Sequence, residues 1–324
     1  MRVEPHQAGS AQGRTGEAVL PDRSEAPGFH SVTGPGGRTL AVETWGDPQG
    51  DPVFLMHGTP GSRLGPVPRP VELYRRGVRL ISYDRPGYGQ SSRQANRRVK
   101  DAAADVGSIA DALGLDRFSV VGRSGGGPHA LAAAALLSDR VRRVVAMVSL
   151  APPKAEDLDW YAGMVDSNVT AYQRAGRESY QEFQELLKDR RLPIAGENGD
   201  PGHLIQELNQ EWEDSDRNVV ADSGIRVQLR DSVFEALHYD PQAGGWVDDV
   251  VALTSDWGFR PEDIPPTVKT LLWHGQQDHF TPSDHTRWLG RHIDHATVVV
   301  EEAFAHFTAL TRLPDVLTWA VSRG

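Results

Sequence analysis

Apolar positions along this chain follow two periods, and the changes from one to the other mark out its architecture. A continuous apolar run lies at residues 52–56, and mainly apolar runs lie at 78–83, 118–121, 144–150, 268–273 and 296–300, as expected of strands buried on both faces. Residues 38–45 alternate apolar with polar after the turn Gly34-Pro35-Gly36-Gly37, the pattern of a half-buried strand. Between the runs the period lengthens to that of a helix. Residues 72–76 predict a short amphipathic helix closed by Gly77. Val99, Ala102, Val106, Ile109 and Leu113 form a longer stripe closed by Gly114. A helix through the alanines at 130–137, one between the last two strands and a final one near 315–321 complete the series. Strands alternating with helices predict an α/β fold with a mainly parallel sheet covered on both faces.

The alternation stops at Ala151-Pro152-Pro153. Residues 154–255 carry helical spacing and almost no strand signal. Tyr180, Phe183 and Leu187 make one stripe, Leu204, Leu208 and Trp212 another, and Val233, Phe234 and Leu237 a third, with loops at 196–201 and 240–245. A helical block of this size between strands reads as a cap. The chain therefore divides into a flexible polar leader (1–28), a first part of the core (29–153), the helical cap (154–255) and a second part of the core (256–324).

Composition narrows the function classes. Charged residues are 24% and hydrophobic residues 39% of the 324, values of an ordinary globular protein with ample chain for a core. A net charge of −10 argues against nucleic acid or an anionic membrane as partner. The chain has no cysteine, which excludes disulfides, a thiolate nucleophile and a Cys-ligated metal. The polar leader lacks the apolar segment of a signal peptide, and no apolar run is long enough to span a bilayer. A cytoplasmic protein acting on a small molecule, with no cofactor and no metal, is the expectation.

The candidate chemistry starts at Gly122-Arg123-Ser124-Gly125-Gly126, which follows a strand, opens a helix and fits the G-x-S-x-G nucleophile elbow. Side chains at the two flanking positions would collide with the neighbouring strand or helix, so glycine is required there. In a chain with 33 glycines the pentapeptide alone is a weak signal, and the rest of the sequence must decide. Asp278 follows the strand at 268–273 in His274-Gly275-Gln276-Gln277-Asp278, and His306 follows the last strand in Glu301-Glu302-Ala303-Phe304-Ala305-His306. Both fall at the carboxyl ends of strands, where ligands and catalytic groups gather in such sheets.

With His57-Gly58-Thr59-Pro60-Gly61 and Asp84-Arg85-Pro86-Gly87-Tyr88-Gly89, these marks resemble an α/β-hydrolase with a helical cap over residues 30–324, in the order Ser…Asp…His. The His-Gly-x-Pro-Gly loop and the elbow are similar to those of proline-iminopeptidase-like bacterial hydrolases, although Arg123 and Gly125-Gly126 depart from the Gly-Gly-Ser-Trp-Gly usual there. A serine hydroxyl needs a base, an imidazole can supply one, and a carboxylate can fix that imidazole's tautomer. Hence Ser124, His306 and Asp278 are the expected triad. The resemblance implies the backbone N–H groups of Thr59 and Gly125 as oxyanion donors. Asp284 competes with Asp278, and His292 and His295 with His306. His57, Arg123 and His129 are expected in supporting roles, as are Asp84 and Arg85, while Trp246 and Trp257 are expected to pack between cap and core.

The expected reaction is hydrolysis of a carboxylic ester or lactone through an acyl-enzyme. One alternative is removal of amino-terminal residues from peptides, favoured if cap carboxylates (Glu178, Glu182, Glu185, Glu207, Glu211) face the serine. Another is a non-hydrolytic use of the fold as lyase, cyclase or cofactor-free oxygenase. Substrate identity and oligomeric state are not legible at this level.

Overall fold

The computed structural model describes residues 28–323; the proposed leader lies outside them except for Gly28. Eight strands form one sheet: β1 (Phe29–Thr33), β2 (Thr39–Gly46), β3 (Asp51–Met56), β4 (Val78–Tyr83), β5 (Phe118–Arg123), β6 (Val141–Met147), β7 (Lys269–Gly275) and β8 (Thr297–Glu301). Their order is β1-β2-β4-β3-β5-β6-β7-β8. The first three strands in that order pair antiparallel, and β4-β3-β5-β6-β7-β8 are parallel. This is the α/β-hydrolase architecture expected from the sequence.

Helices cover both faces. They are α1 (Pro70–Arg75), α2 (Ala102–Ala112), α3 (Gly126–Leu136), α4 (Asp166–Arg177), α5 (Tyr180–Ala195), α6 (His203–Leu208), α7 (Asp214–Val220), α8 (Ser223–His238), α9 (Gly244–Leu253), α10 (Asp284–His292) and α11 (Ala309–Val321). On one face Val106, Ile109, Leu131 and Leu289 of α2, α3 and α10 pack on Phe54, Val120 and Leu272. On the other, Leu73 of α1 and Leu313, Val316 and Leu317 of α11 pack on Val53, Val121 and Val145. The central strands are thus buried on both sides, which is why they read as continuous apolar runs.

Several boundaries differ from the sequence reading. Strand β1 was not anticipated, because only Val32 of its five residues is buried and an edge strand of that kind leaves no alternating signature. Strand β6 begins at Val141, three residues before the expected 144, and ends at Met147, since Val148 takes a left-handed φ of 44°. Helix α11 begins at Ala309 and runs through Pro314; its buried stripe of Leu310, Leu313, Val316, Leu317 and Ala320 outweighs the lost backbone bond. Gly244 and Gly245, read as loop, open α9. A Cβ on Gly245 would lie 2.2 Å from the Gly87 carbonyl oxygen, so glycine lets this helix seat against the loop after β4.

The helices α4–α9 lie between β6 and β7 in the chain. Phe183, Leu187, Val233, Leu237 and Val247 form one apolar cluster with Tyr88, Val99, Ala132 and Leu150 of the sheet-bearing part. Trp246 and Trp257 are buried within it, and Trp246 also lines the cavity that holds Ser124. Among the described residues no helix is long and apolar enough to cross a membrane.

Candidate active site

Ser124 sits directly after β5 with φ 55°, a left-handed conformation that a non-glycine residue adopts only where its surroundings enforce it. The surroundings are tight. A Cβ on Gly122 would meet the Gly126 carbonyl oxygen at 2.2 Å and the Ala130 Cβ at 2.8 Å, and one on Gly126 would meet the Met56 carbonyl oxygen at 2.3 Å. The helix α3 starts at Gly126, earlier than the expected residue 130, so its N-terminus lies immediately behind the serine.

The loop after β7 carries Asp278, and the loop after β8 carries His306. His306 Nδ1 donates to Asp278 Oδ2 at 2.8 Å. The carboxylate is fully engaged: Oδ1 accepts the N–H groups of Phe280 (2.8 Å) and Thr281 (2.9 Å), and Oδ2 accepts the Thr281 hydroxyl (3.0 Å). His274, at the end of β7, brings Nε2 to 3.3 Å from the same oxygen. Burial by itself would raise the Asp278 pKa, but His306 and His274 together hold it well below the usual carboxylate range. With Nδ1 committed, Nε2 is the nitrogen of His306 left for chemistry. Ser124 and His306 line one cavity of about 120 Å³. Among the described residues no hydrogen bond joins the two side chains, which is common in a site without substrate.

Thr59 lines that cavity and Gly125 lies beside it: a Cβ on Gly125 would fall 2.2 Å from Thr59 Oγ1. Among the described residues neither backbone N–H donates to a protein acceptor. Two unspent donors beside a serine suit a developing oxyanion. His57 donates Nδ1–H to the Gly58 carbonyl (2.8 Å) and accepts the Arg85 N–H at Nε2 (3.2 Å). Burial, reinforced by Arg85, pushes its pKa well below the usual imidazole value, so it is a neutral brace. His129 donates to the Gly125 carbonyl at 2.8 Å, and burial with Arg85 nearby pulls it down to about 3. The competitors stand apart. Asp284 pairs with Arg287 at 3.4 Å, His292 stacks on Trp288 with centroids 3.6 Å apart, and His295 approaches Thr270 at 3.5 Å.

Sequence reasoning missed two carboxylates, both from the helical insertion. Asp249 of α9 is fully buried. Its Oδ2 accepts the Thr59 hydroxyl (2.5 Å), Arg85 Nη2 (2.6 Å) and the Tyr88 hydroxyl (3.2 Å), and its Oδ1 pairs with Arg97 at 2.8 Å. Burial opposes this charge, but Arg85 and Arg97 hold the Asp249 pKa well below its ordinary value. Arg85 in turn donates to the carbonyls of His57 (2.5 Å) and Gly58 (2.9 Å), so the network fixes the loop that presents Thr59. Two carboxylates inside the apolar run Trp246-Val247-Asp248-Asp249-Val250-Val251 were the available signal. Asp216 of α7 accepts the backbone N–H groups of His306 (3.0 Å), Phe307 (2.8 Å) and Thr308 (2.7 Å). Nothing in Asp214-Ser215-Asp216 separates it from a solvated helix start.

The cavity is otherwise lined by Tyr172, Trp212, Val233, Trp246, Phe280 and Phe307, with Arg123 and Arg190 as its cations. Among the described residues no carboxylate lines it. Glu178 pairs with Arg174, Glu182 caps α5 through Ser179, Glu185 pairs with Lys188, Glu207 with Arg190, and Glu211 accepts from Ser167. A larger groove of about 540 Å³ lies on the outer face of α6–α8. It shares Trp212 and Ile205 with the serine cavity but reaches neither Ser124 nor His306, both of which line the smaller cavity. Among the described residues no group of three or more His, Asp or Glu could hold a metal.

Residues 51–168 match the family model described as the alpha/beta hydrolase fold. The chain has the α/β-hydrolase fold. It is 27% identical over 267 residues to a 2-hydroxymuconate semialdehyde hydrolase of Pseudomonas putida, covering 81% of this chain and 83% of that protein. A pimeloyl-[acyl-carrier protein] methyl ester esterase of Nitrosomonas europaea is 28% identical over 266 residues, covering 81% and 90%. The crystal structure of an enol-lactonase from Burkholderia xenovorans superimposes with a TM-score of 0.60 at 22% identity, over 90% of this chain and 97% of that one. These three relatives are hydrolases.

Proposed function

We propose that this α/β-hydrolase cleaves a carboxylic ester or lactone of a small molecule by way of an acyl-enzyme on Ser124. The observation that carries the reading is the His306–Asp278 pair opening onto the same cavity as a serine held at φ 55°. Ser124 Oγ attacks the carbonyl carbon while His306 Nε2 takes its proton. The charge that develops on the carbonyl oxygen is met by the N–H groups of Thr59 and Gly125. His306 returns the proton to the departing alkoxide, the alcohol leaves, and water enters by the reverse sequence to release the acid. Asp278 keeps the imidazole in the tautomer with Nε2 free. The helices between β6 and β7 act as a cap that walls the cavity with apolar side chains.

The peptidase alternative needs a carboxylate facing the serine to hold a substrate ammonium. The cavity presents two guanidinium groups instead, which supports the ester reading. The test is hydrolysis of p-nitrophenyl butyrate and of proline p-nitroanilide by wild type, Ser124→Ala and His306→Ala. Ester turnover that falls by about 10⁴ or more in both variants, with the anilide untouched throughout, is the expected result. Ester turnover that survives Ser124→Ala sinks the nucleophile assignment, and anilide turnover favours the peptidase. A catalyst of lyase or cyclase type would leave both probes intact.

A further inference from the structure

Arg123 is the last residue of β5, directly before the serine, and it lines the reaction cavity. It is the cation there with no partner. Among the described residues it makes no hydrogen bond and no ion pair, and its Nη1 is buried without an acceptor. Its guanidinium lies over the face of Phe307, 5.6 Å from the ring centroid. The two carboxylates that feel its charge, Asp216 and Asp278, are committed elsewhere: the first to three backbone N–H groups, the second to His306 and Thr281.

An unpaired guanidinium in a largely apolar cavity is costly unless something completes it. Burial pulls the Arg123 pKa down to about 10, with Asp216 and Asp278 only partly offsetting the effect. Arg190, the other cation of the cavity, already pairs with Glu207 at 3.1 Å and lies over the Trp246 ring. The planar fork of arginine matches a carboxylate, to which it can donate two parallel bonds. The cavity supplies no carboxylate of its own, so the complement has to arrive with the ligand.

We infer that Arg123 is a substrate-binding residue that recognises a carboxylate borne by the substrate, so that half-esters of small dicarboxylic acids, or lactones carrying a free acid, are preferred over neutral esters. The inference rests on the ester or lactone reading for the scissile bond, but its recognition step is separable from catalysis. The probes are monomethyl succinate and methyl butyrate, which differ by a carboxylate in place of a methyl group. Their dissociation constants are measured by titration calorimetry in Ser124→Ala, alone and combined with Arg123→Met, Arg123→Lys or Arg190→Met. The ratio of the two constants cancels general damage to the cavity.

The half-ester is expected to bind about 10- to 100-fold more tightly in Ser124→Ala, the range of a charge-assisted contact. Arg123→Met brings the ratio close to one, Arg123→Lys restores part of it, and Arg190→Met leaves most of it. A ratio near one in Ser124→Ala, binding of neither probe, a ratio that survives Arg123→Met, or one that collapses only with Arg190→Met overturns the inference. If the Ser124-intact protein turns over no ester while the binding ratio behaves as expected, the hydrolytic reading fails and the recognition stands.

Discussion

Asp278 and Asp249 are both essentially without solvent contact, and both are held below the ordinary carboxylate range. What differs is the partner. Asp278, from the loop after β7, meets His306, a side chain that can take and release a proton. Asp249, from α9 in the helical insertion, meets Arg85 and Arg97, which do not exchange protons. The first arrangement can take part in chemistry, and the second can only hold position. Burial and a depressed pKa do not by themselves mark a catalytic carboxylate, because the identity of the counter-charge decides what the group can do. Asp249 nevertheless bears on the proposed site at one remove, since Thr59 and the loop carbonyls hang from its network.

Substitution separates the two roles. In Asp278→Asn the imidazole loses the acceptor that fixes its tautomer, and kcat for p-nitrophenyl butyrate is expected to fall by about 10⁴, while urea unfolding still shows a folded, cooperative protein. Retention of more than a tenth of the activity would remove Asp278 from the triad. In Asp249→Ala two buried guanidinium groups lose their counter-charge, so stability should drop by about 3–5 kcal/mol in urea titrations. Activity should also fall by about 10²–10³ as the Thr59 donor drifts from position. An Asp249→Ala protein as stable as wild type would break the comparison, because the network would then carry no structural weight.

Asp216 offers a finer distinction. It grips the backbone of His306 rather than its ring, so Asp216→Ala should lower kcat about 10- to 100-fold and leave KM for the butyrate ester nearly unchanged. The accompanying stability loss should be about 1–3 kcal/mol, the cost of orphaned buried donors. A variant that changes KM alone would place Asp216 in substrate binding instead.

Acid titration gives the smallest and most diagnostic effect. The folded-state pKa values of Asp278 and Asp249 lie below the unfolded value of 3.8. Their contribution to stability is therefore complete above that value and is lost as pH falls through the folded values. The urea midpoint should decline below about pH 4, and Asp278→Asn should flatten part of that decline. An unchanged slope would assign the whole of it to Asp249 and the remaining carboxylates.

The two regions also differ in how much their sequence discloses. Around the sheet, local rules suffice. Parallel strands buried on both faces are mainly apolar, as residues 52–56 are throughout and 118–121 are apart from Ser119, and the elbow needs glycine at 122 and 126 because neighbouring backbone fills the space a Cβ would take. Ser124, Asp278 and His306 were legible because each follows a strand, where side chains gather at the sheet's carboxyl edge. In the helical insertion the same rules located helices but not their purpose. Asp216 and Asp249 lie in helices whose facing loops are 90 and 190 residues away in the chain, and helical period carries no record of what a helix is packed against.

Sequence alone determined the strand–helix alternation, the elbow and the order of the three site residues, since each depends on contacts within a few residues of chain or on one face of one element. Tertiary structure decided the rest. It left Arg123 without a counter-ion, bonded Asp249 to the Thr59 loop and Asp216 to the His306 loop, and lined the cavity with guanidinium rather than carboxylate groups. Electrostatic partners are chosen by proximity in space, and a charged residue looks the same along the chain whether it will meet water, an ion pair or a substrate.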